Sequence, residues 1–368
     1  MKILVECMHR VRETKVLVVD PSNLNLDHLR EVAKVIREGG LVVFPTETVY
    51  GLGADAFNRE AVKRVYHVKG RPADNPLIVH ISNIGQLEHV AETDYLTNDI
   101  YKIIEKFWPG PLTLIIPKSR RIPYEVTAGL NVVAVRMPAH PVAINLIELC
   151  ETPIVGPSAN PAGKPSPTSG EHVKRDMMGK VDVIIDSGET LYGVESTIID
   201  FTREFPVLLR PGAIPVEEVE RHLQKKIVIP DSARGLIEAS EALSPGMKYR
   251  HYAPDTPLII LESKDYSDLK SYSEKVLEYV KNLKRSGKKI IVLASRETRD
   301  YYGEIDILLL GSRKNLFEVA RNLFSVLRII DELDVDLAVA EGFEERGLGL
   351  TIMNRLRKAS GYNIVKID

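Results

Sequence analysis

From Leu258 onward, short apolar runs alternate with longer segments whose apolar residues recur at helical spacing. The runs are LIIL from Leu258, KIIVLA from Lys289, DILLL from Asp306 and DLAVA from Asp336, and the helical spacing covers about 265–285, 315–332 and a terminal 348–359. A strand that lies parallel to its neighbour needs a long crossover, usually a helix, whereas a short turn returns the chain antiparallel. The alternation therefore predicts a small open parallel-sheet domain over residues 257–368.

The first half has a different rhythm. Residues 27–38 place Leu29, Val32, Ala33, Val35 and Ile36 at helical spacing, and Gly39-Gly40 supplies the stop. Strands are expected at 41–44, 77–81, 112–116, 132–136, 153–155, 181–185, 196–199 and 207–209, with helices at 59–68, 97–107, 141–150 and 171–178. Not every strand pair is separated by a helix, so this part predicts an α/β unit with a mixed sheet, over residues 1–213. Residues 214–256 read as a connector whose second half, SPGMKYRHYAPDTP, is rich in proline, glycine, aromatic and basic residues.

The 368 residues are 44% hydrophobic, enough for full cores and for two domains in place of one. A formal charge of −2 gives no global attraction to nucleic acid or to an anionic membrane, so phosphate binding has to be built locally. Cys7 and Cys150 are the only cysteines, which excludes a disulfide framework or a multi-cysteine metal site and fits a reducing cytoplasm. Charges interrupt the N-terminus before a signal-type apolar region, and no apolar run approaches the roughly 18 residues of a membrane span.

Gly51-x-Gly53-x-x-Ala56 approaches the glycine pattern of a dinucleotide site and raises the reading of a dinucleotide-dependent oxidoreductase. Pro45–Tyr50 separate it from the preceding strand, and Lys69-Gly-Arg71 stands near where a ribose-binding acid is wanted, so the reading is weak. Lys69 and Arg71, two apart, would project to one side of an extended segment and could grip adjacent phosphates. In LIVHI, Leu77, Val79 and Ile81 share one strand face and leave Ile78 and His80 on the other. The proline-stiffened loop PSANPAGKPSPTS groups Ser158, Asn160, Ser166 and Thr168 around Lys164, donors that suit phosphate oxygens. Arg136 and Arg210 end strands and Ser196 opens one, and ligands of open α/β sheets sit where strands end. No Walker loop, GxSxG elbow, kinase signature or metal-ligand spacing is present, so a reaction that needs positioning and charge neutralisation fits better than covalent catalysis. The basic loops also allow an RNA-binding or translation-factor-like module, against which the near-zero net charge weighs.

FPTETVYGLG, KGRPADNPLIVHI, WPGPLTLI, VAVRMPAHP, PSANPAGKPSPT, GVESTIID and LLRPG, in this order over residues 25 to about 213, resemble the YrdC domain. SPGMKYRHYAP and AEGFEERGLGLTIMNRLRKAS are similar to the longer, two-domain form of the threonylcarbamoyl-AMP synthase family. The resemblance implies a YrdC-like open twisted mixed sheet with helices, followed by a smaller Rossmann-like parallel-sheet domain. It implies a nucleotidyltransferase that makes L-threonylcarbamoyl-AMP and pyrophosphate from L-threonine, bicarbonate and ATP. Mg²⁺ would be carried by ATP, with no protein-held metal. The product would pass to a threonylcarbamoyl transferase acting on tRNA next to the anticodon, with at most a weak tRNA contact by this chain. In this reading Thr46, Thr48 and Tyr50 face substrate while Gly51 and Gly53 let the backbone approach closely. Thr48, His80, Thr127, Arg136, Gly156 and Ser196 go to threonine, Arg136 pairing with its carboxylate. Lys69, Arg71, Asn75, Ser158, Asn160, Ser166, Arg210 and Tyr249 go to ATP, Lys69 and Arg71 as the catalytic cations. Tyr249 lies in the connector, which makes that segment a lid.

Overall fold

The structure, a computed structural model, describes residues 13–238 and 252–367. Ten strands form the first sheet: β1 Lys15–Val18, β2 Val42–Phe44, β3 Gly51–Asp55, β4 Ile78–His80, β5 Leu112–Pro117, β6 Val132–Arg136, β7 Ile154–Val155, β8 Val183–Asp186, β9 Thr197–Asp200 and β10 Val207–Arg210. Their order is β1-β8-β2-β3-β7-β4-β6-β5-β9-β10. Parallel and antiparallel pairs are mixed, as with β4 parallel to β6 and antiparallel to β7. The second sheet is parallel throughout: β11 Leu258–Glu262, β12 Ile290–Ser295, β13 Asp306–Gly311, β14 Leu337–Glu341 and β15 Ile364–Lys366, in the order β13-β12-β14-β11-β15. Both halves thus take the class expected from their rhythm.

The sheet faces follow the period of two. Leu41 and Val43 join the core on one side, with Leu52, Val79 and Val135, whereas Val42 and Phe44 pack on the other. That other side is covered by the helices Leu26–Arg37 and Pro141–Cys150. The first of these is capped by Asn25, which accepts from the Asp27 and His28 amides, and it ends where Gly39, at φ 84, turns the chain toward β2. Each fully buried Val, Leu or Phe in these layers contributes about 1.5–3 kcal/mol.

Three strands fall outside the sequence expectations. β1 and β15 are edge strands whose residues are mostly exposed or half-buried, so neither carries a buried face for alternation to reveal. β3 reads as a glycine loop in the sequence, yet it lies inside the sheet, with Gly51 opposite Phe44 and Gly53 opposite Val42. The connector is not a bare tether at its start. Residues 216–223 and 231–234 are helical, and Val216, Val219, Leu223, Ile227 and Ala233 belong to the first core.

The domains also share apolar packing. Val49, Val194, Ala213 and Tyr252 lie in one cluster with Leu323, Phe324 and Met353 of the second domain. Polar clamps flank it. Arg328 pairs with Asp176 at 2.6 Å, and Thr351 donates to the Gly212 carbonyl at 2.9 Å.

Candidate active site

One cleft gathers the ends of several strands of the large sheet. Its wall takes Thr46, Thr48 and Tyr50 from the turn after β2, Ile78 and His80 from β4, Arg136 from β6, Gly156 and Ser158 after β7, Ser196 before β9 and Arg210 from β10. Lys69, Arg71, Asn75, Asn160 and Ser166 complete it, with Tyr252 at the far end of the connector. Thr127 is not in this wall: it ends a short helix, and its hydroxyl donates to the Leu130 carbonyl at 2.8 Å. Tyr249 lies outside the described residues.

At one end of the cleft an arginine is held from three sides. Arg136 donates from Nη1 to Thr48 Oγ1 at 2.9 Å and from Nε to the Gly110 carbonyl at 3.1 Å, and its Nη2 pairs with Glu47 Oε1 at 2.6 Å. Thr46 braces the turn by donating to the Val49 carbonyl at 2.6 Å and lying 2.8 Å from Thr48 Oγ1. His80 sits beside this group. Burial, then the Arg136 charge, pushes its imidazole down to about 3, so it stays neutral at physiological pH. A Cβ at Gly156 would lie 2.7 Å from His80 Nδ1, so glycine there is a matter of space. Tyr50 lines the cleft, but its hydroxyl is engaged behind it, donating to the Gly188 carbonyl at 2.8 Å and accepting from the Ser187 amide at 2.9 Å.

The other end is cationic and rich in hydroxyl and amide groups. Lys69 and Arg71 do reach the same cavity, although not through an extended segment. Lys69 ends the helix Arg59–Lys69, and Gly70, in the left-handed region at φ 60, redirects the chain before Arg71. Lys69 Nζ donates to the carbonyls of Ser158 at 2.5 Å and Asn160 at 2.8 Å, so it braces the proline-rich loop while facing the cleft. Burial and the nearby Arg71 push its ammonium down to about 7. Burial likewise lowers Arg71, to about 10. Arg210 donates to the Ser196 carbonyl at 2.9 Å and to its Oγ at 3.1 Å.

Several polar atoms of this wall are buried without a hydrogen-bond partner among the described residues: both amide atoms of Asn75, Asn160 Oδ1, Arg71 Nε and His80 Nδ1. Buried polar groups are normally paired, and an unpaired one costs about 1–3 kcal/mol, so their convergence marks a ligand surface. Gly51 lines the cleft, but the glycine pattern is not a strand-to-helix phosphate turn. A Cβ at Gly51 would meet Phe44 Cζ at 2.9 Å and one at Gly53 the Val42 carbonyl at 3.0 Å, so the close approach there is by β2. A fingerprint glycine belongs at a strand-to-helix turn, and these lie within a strand.

Sequence reasoning passed over Glu47 and Glu195, the carboxylates of the arginine pairs, because their partners Arg136 and Arg355 are remote in sequence. Glu195 lines the cleft; burial alone would raise its carboxyl, but Arg355 and Arg210 hold it down at about 2.

Both halves of the chain match known proteins. A family model described as "Telomere recombination" matches residues 34–212, and one described as "Threonylcarbamoyl-AMP synthase, C-terminal domain" matches residues 214–361. The threonylcarbamoyl-AMP synthase of Pyrococcus abyssi (strain GE5 / Orsay) is 47% identical over 367 residues, covering 100% of both chains. That of Bacillus subtilis (strain 168) is 43% identical, over 95% of this chain and 97% of its own. The crystal structure of P. abyssi Sua5 complexed with L-threonine superposes with a TM-score of 0.88 at 48% identity, covering 96% of this chain and 100% of that one. With both domains matched in order and full-length relatives at this identity, the chain belongs to the threonylcarbamoyl-AMP synthase family.

Proposed function

We propose that this protein converts L-threonine, bicarbonate and ATP into L-threonylcarbamoyl-AMP, pyrophosphate and water. The observation that carries the reading is the single cleft, with a braced arginine at one end, the cations Lys69, Arg71 and Arg210 at the other and, between them, buried polar atoms that have no hydrogen-bond partner among the described residues.

Threonine lies at the Arg136 end, its carboxylate on the guanidinium that Glu47 and Thr48 hold in place. His80, neutral and with Nδ1 lacking a hydrogen-bond partner among the described residues, offers a hydrogen bond to the substrate amine without adding charge. Tyr50, Gly156 and Ser196 complete that half. ATP lies at the other end, with its phosphates on Lys69, Arg71 and Arg210 and on the hydroxyl and amide groups of Ser158, Asn160, Ser166 and Asn75. The neutral amine of threonine takes up the carbon of bicarbonate with loss of water, forming a carbamate. A carbamate oxygen then attacks the α-phosphorus, the bond to the β-phosphate oxygen breaks, and pyrophosphate leaves. No protein nucleophile is needed. The chain aligns carbamate and phosphorus and neutralises the charge that develops on the phosphoryl oxygens. Glu47 and Glu195 are each paired with an arginine, which leaves magnesium to arrive with the triphosphate as part of that substrate.

Tyr252 lines the cleft and the Ala253 amide donates to the Gly163 carbonyl at 2.8 Å, which holds the far end of the connector beside the nucleotide half. The mixed anhydride passes to a threonylcarbamoyl transferase that modifies the adenosine next to the anticodon of tRNA, in the cytoplasm. Among the described residues no helix is long and apolar enough to cross a membrane.

The test is incubation with ATP, radiolabelled bicarbonate and single amino acids, with chromatography of the products. Label in an acyl-adenylate that requires threonine, together with pyrophosphate release, is expected. Pyrophosphate release that ignores bicarbonate, or label that ignores threonine, overturns the reading.

A further inference from the structure

A buried side chain of the second domain reaches a carboxylate of the nucleotide half of the cleft. Arg355, in the helix Leu348–Ala359, is 0% exposed. Its Nε donates to Glu195 Oε2 at 2.9 Å, its Nη2 to the Pro211 carbonyl at 2.9 Å and its Nη1 to Asn354 Oδ1 at 2.6 Å. Glu195 Oε1 in turn accepts from Ser166 Oγ at 2.7 Å. The guanidinium also lies 5.1 Å from the centre of the Tyr252 ring, and Tyr252, Glu195 and Ser166 all line the cleft. One arginine therefore ties together the proline-rich loop, the segment before β9, the segment after β10 and the end of the connector.

We propose that Arg355 is a positioning residue for the triphosphate, acting through Glu195. The inference rests on the reading that ATP occupies this end of the cleft. A carboxylate facing a polyanion is tolerated only if its charge is compensated, and here Arg355 of the other domain supplies the larger share, ahead of Arg210. Without it, the Glu195 charge opposes the phosphates directly and competes for Arg210, whose own charge it already feels. Ser166 loses its fixed acceptor at the same time.

The effect is confined to one end. At the threonine end the compensating pair is Arg136 with Glu47. The proline-rich loop keeps a separate hold on the second domain, through Arg328 to the Pro165 carbonyl at 2.6 Å and Thr168 to Ser325 at 3.0 Å, so removing Arg355 does not release it. A purely structural ion pair would weaken both ligands alike.

The experiment measures ATP and L-threonine affinity separately by calorimetry, on the full chain, for unaltered protein, Arg355→Met and Arg355→Met/Glu195→Gln. Arg355→Met is expected to bind ATP more weakly by on the order of tenfold or more, the scale set by stripping one partner from a buried charge pair. Threonine affinity should stay within about twofold, since that end keeps its own ion pair. The double variant, with no charge left to compensate, should recover most of the lost ATP affinity. Unchanged ATP affinity in Arg355→Met, an equal loss for both ligands, or a double variant no better than the single one overturns the proposal. If Arg355→Met does not fold, Arg355→Lys takes its place with the same selective loss expected, and an equal loss for both ligands again refutes it. Failure of the unaltered protein to bind ATP would refute the ATP reading itself, a distinct outcome.

Discussion

ATP binding should take up a proton, and Lys69 should be the group that receives it. Its ammonium is 3% exposed and is pushed down to about 7 by burial and by Arg71, only partly offset by Asp176 and Glu195. At pH 8 a group at about 7 is roughly one-tenth protonated; a phosphate beside it restores the charge, so binding takes up about nine-tenths of a proton. The sign follows from linkage: a complex that holds more protons than its parts weakens as pH rises. Affinity for ATP should fall about fivefold between pH 7 and pH 8 and about tenfold per unit above that, until the bound lysine itself titrates. Lys358, also pushed to about 7 by burial and then by Arg355 and Arg210, is the competing source of uptake. Lys69→Met separates the two, because it keeps the apolar stem and deletes only the titrating group. Calorimetry at pH 8 in two buffers of different ionisation enthalpy reads the proton count directly. Uptake that persists in Lys69→Met, or none in the unaltered protein, refutes the argument.

Two further outcomes follow from the geometry and a third from the proposed substrate. Gly156→Ala puts a Cβ 2.7 Å from His80 Nδ1 and 3.0 Å from Phe44 Cζ; the crowding should cost about 1–3 kcal/mol in unfolding and raise KM for threonine more than for ATP. Urea unfolding of Glu47→Ala should show a loss of about 3–5 kcal/mol, because Arg136 is left buried with its charge uncompensated; a loss under 1 kcal/mol would mean the pair is not buried in solution. Serine, lacking only the methyl group, should remain a substrate with kcat/KM lower by about 10- to 200-fold, and equal values would exclude an apolar niche for that methyl.

Periodicity and punctuation in the sequence determined the class of both sheets. Alternation of strand and helix after Leu258 leaves a parallel sheet as the simple solution, and the mixed spacing before Gly212 leaves a mixed one. Strand faces were legible for the same reason: in LIVHI a period of two sends Leu77, Val79 and Ile81 to the core and leaves Ile78 and His80 in the cleft wall. The strand-terminal positions of Arg136 and Arg210 could also be read, since a run of Val and Leu ending in arginine marks its own boundary.

Edge strands β1 and β15 were not legible, because neither carries a fully buried face for alternation to reveal. The glycines of β3 were ambiguous: an open site for a phosphate and a close contact with Phe44 require the same residue, and only the register decides between them. Tertiary structure alone brought together Glu47 with Arg136 and Glu195 with Arg355, the latter pair 160 residues apart. Their strength depends on burial and on which side chain arrives opposite, and local sequence carries neither. The attachment of the second domain to the nucleotide end of the cleft is decided at that level, where two helices of one sheet domain pack against the strand ends of the other.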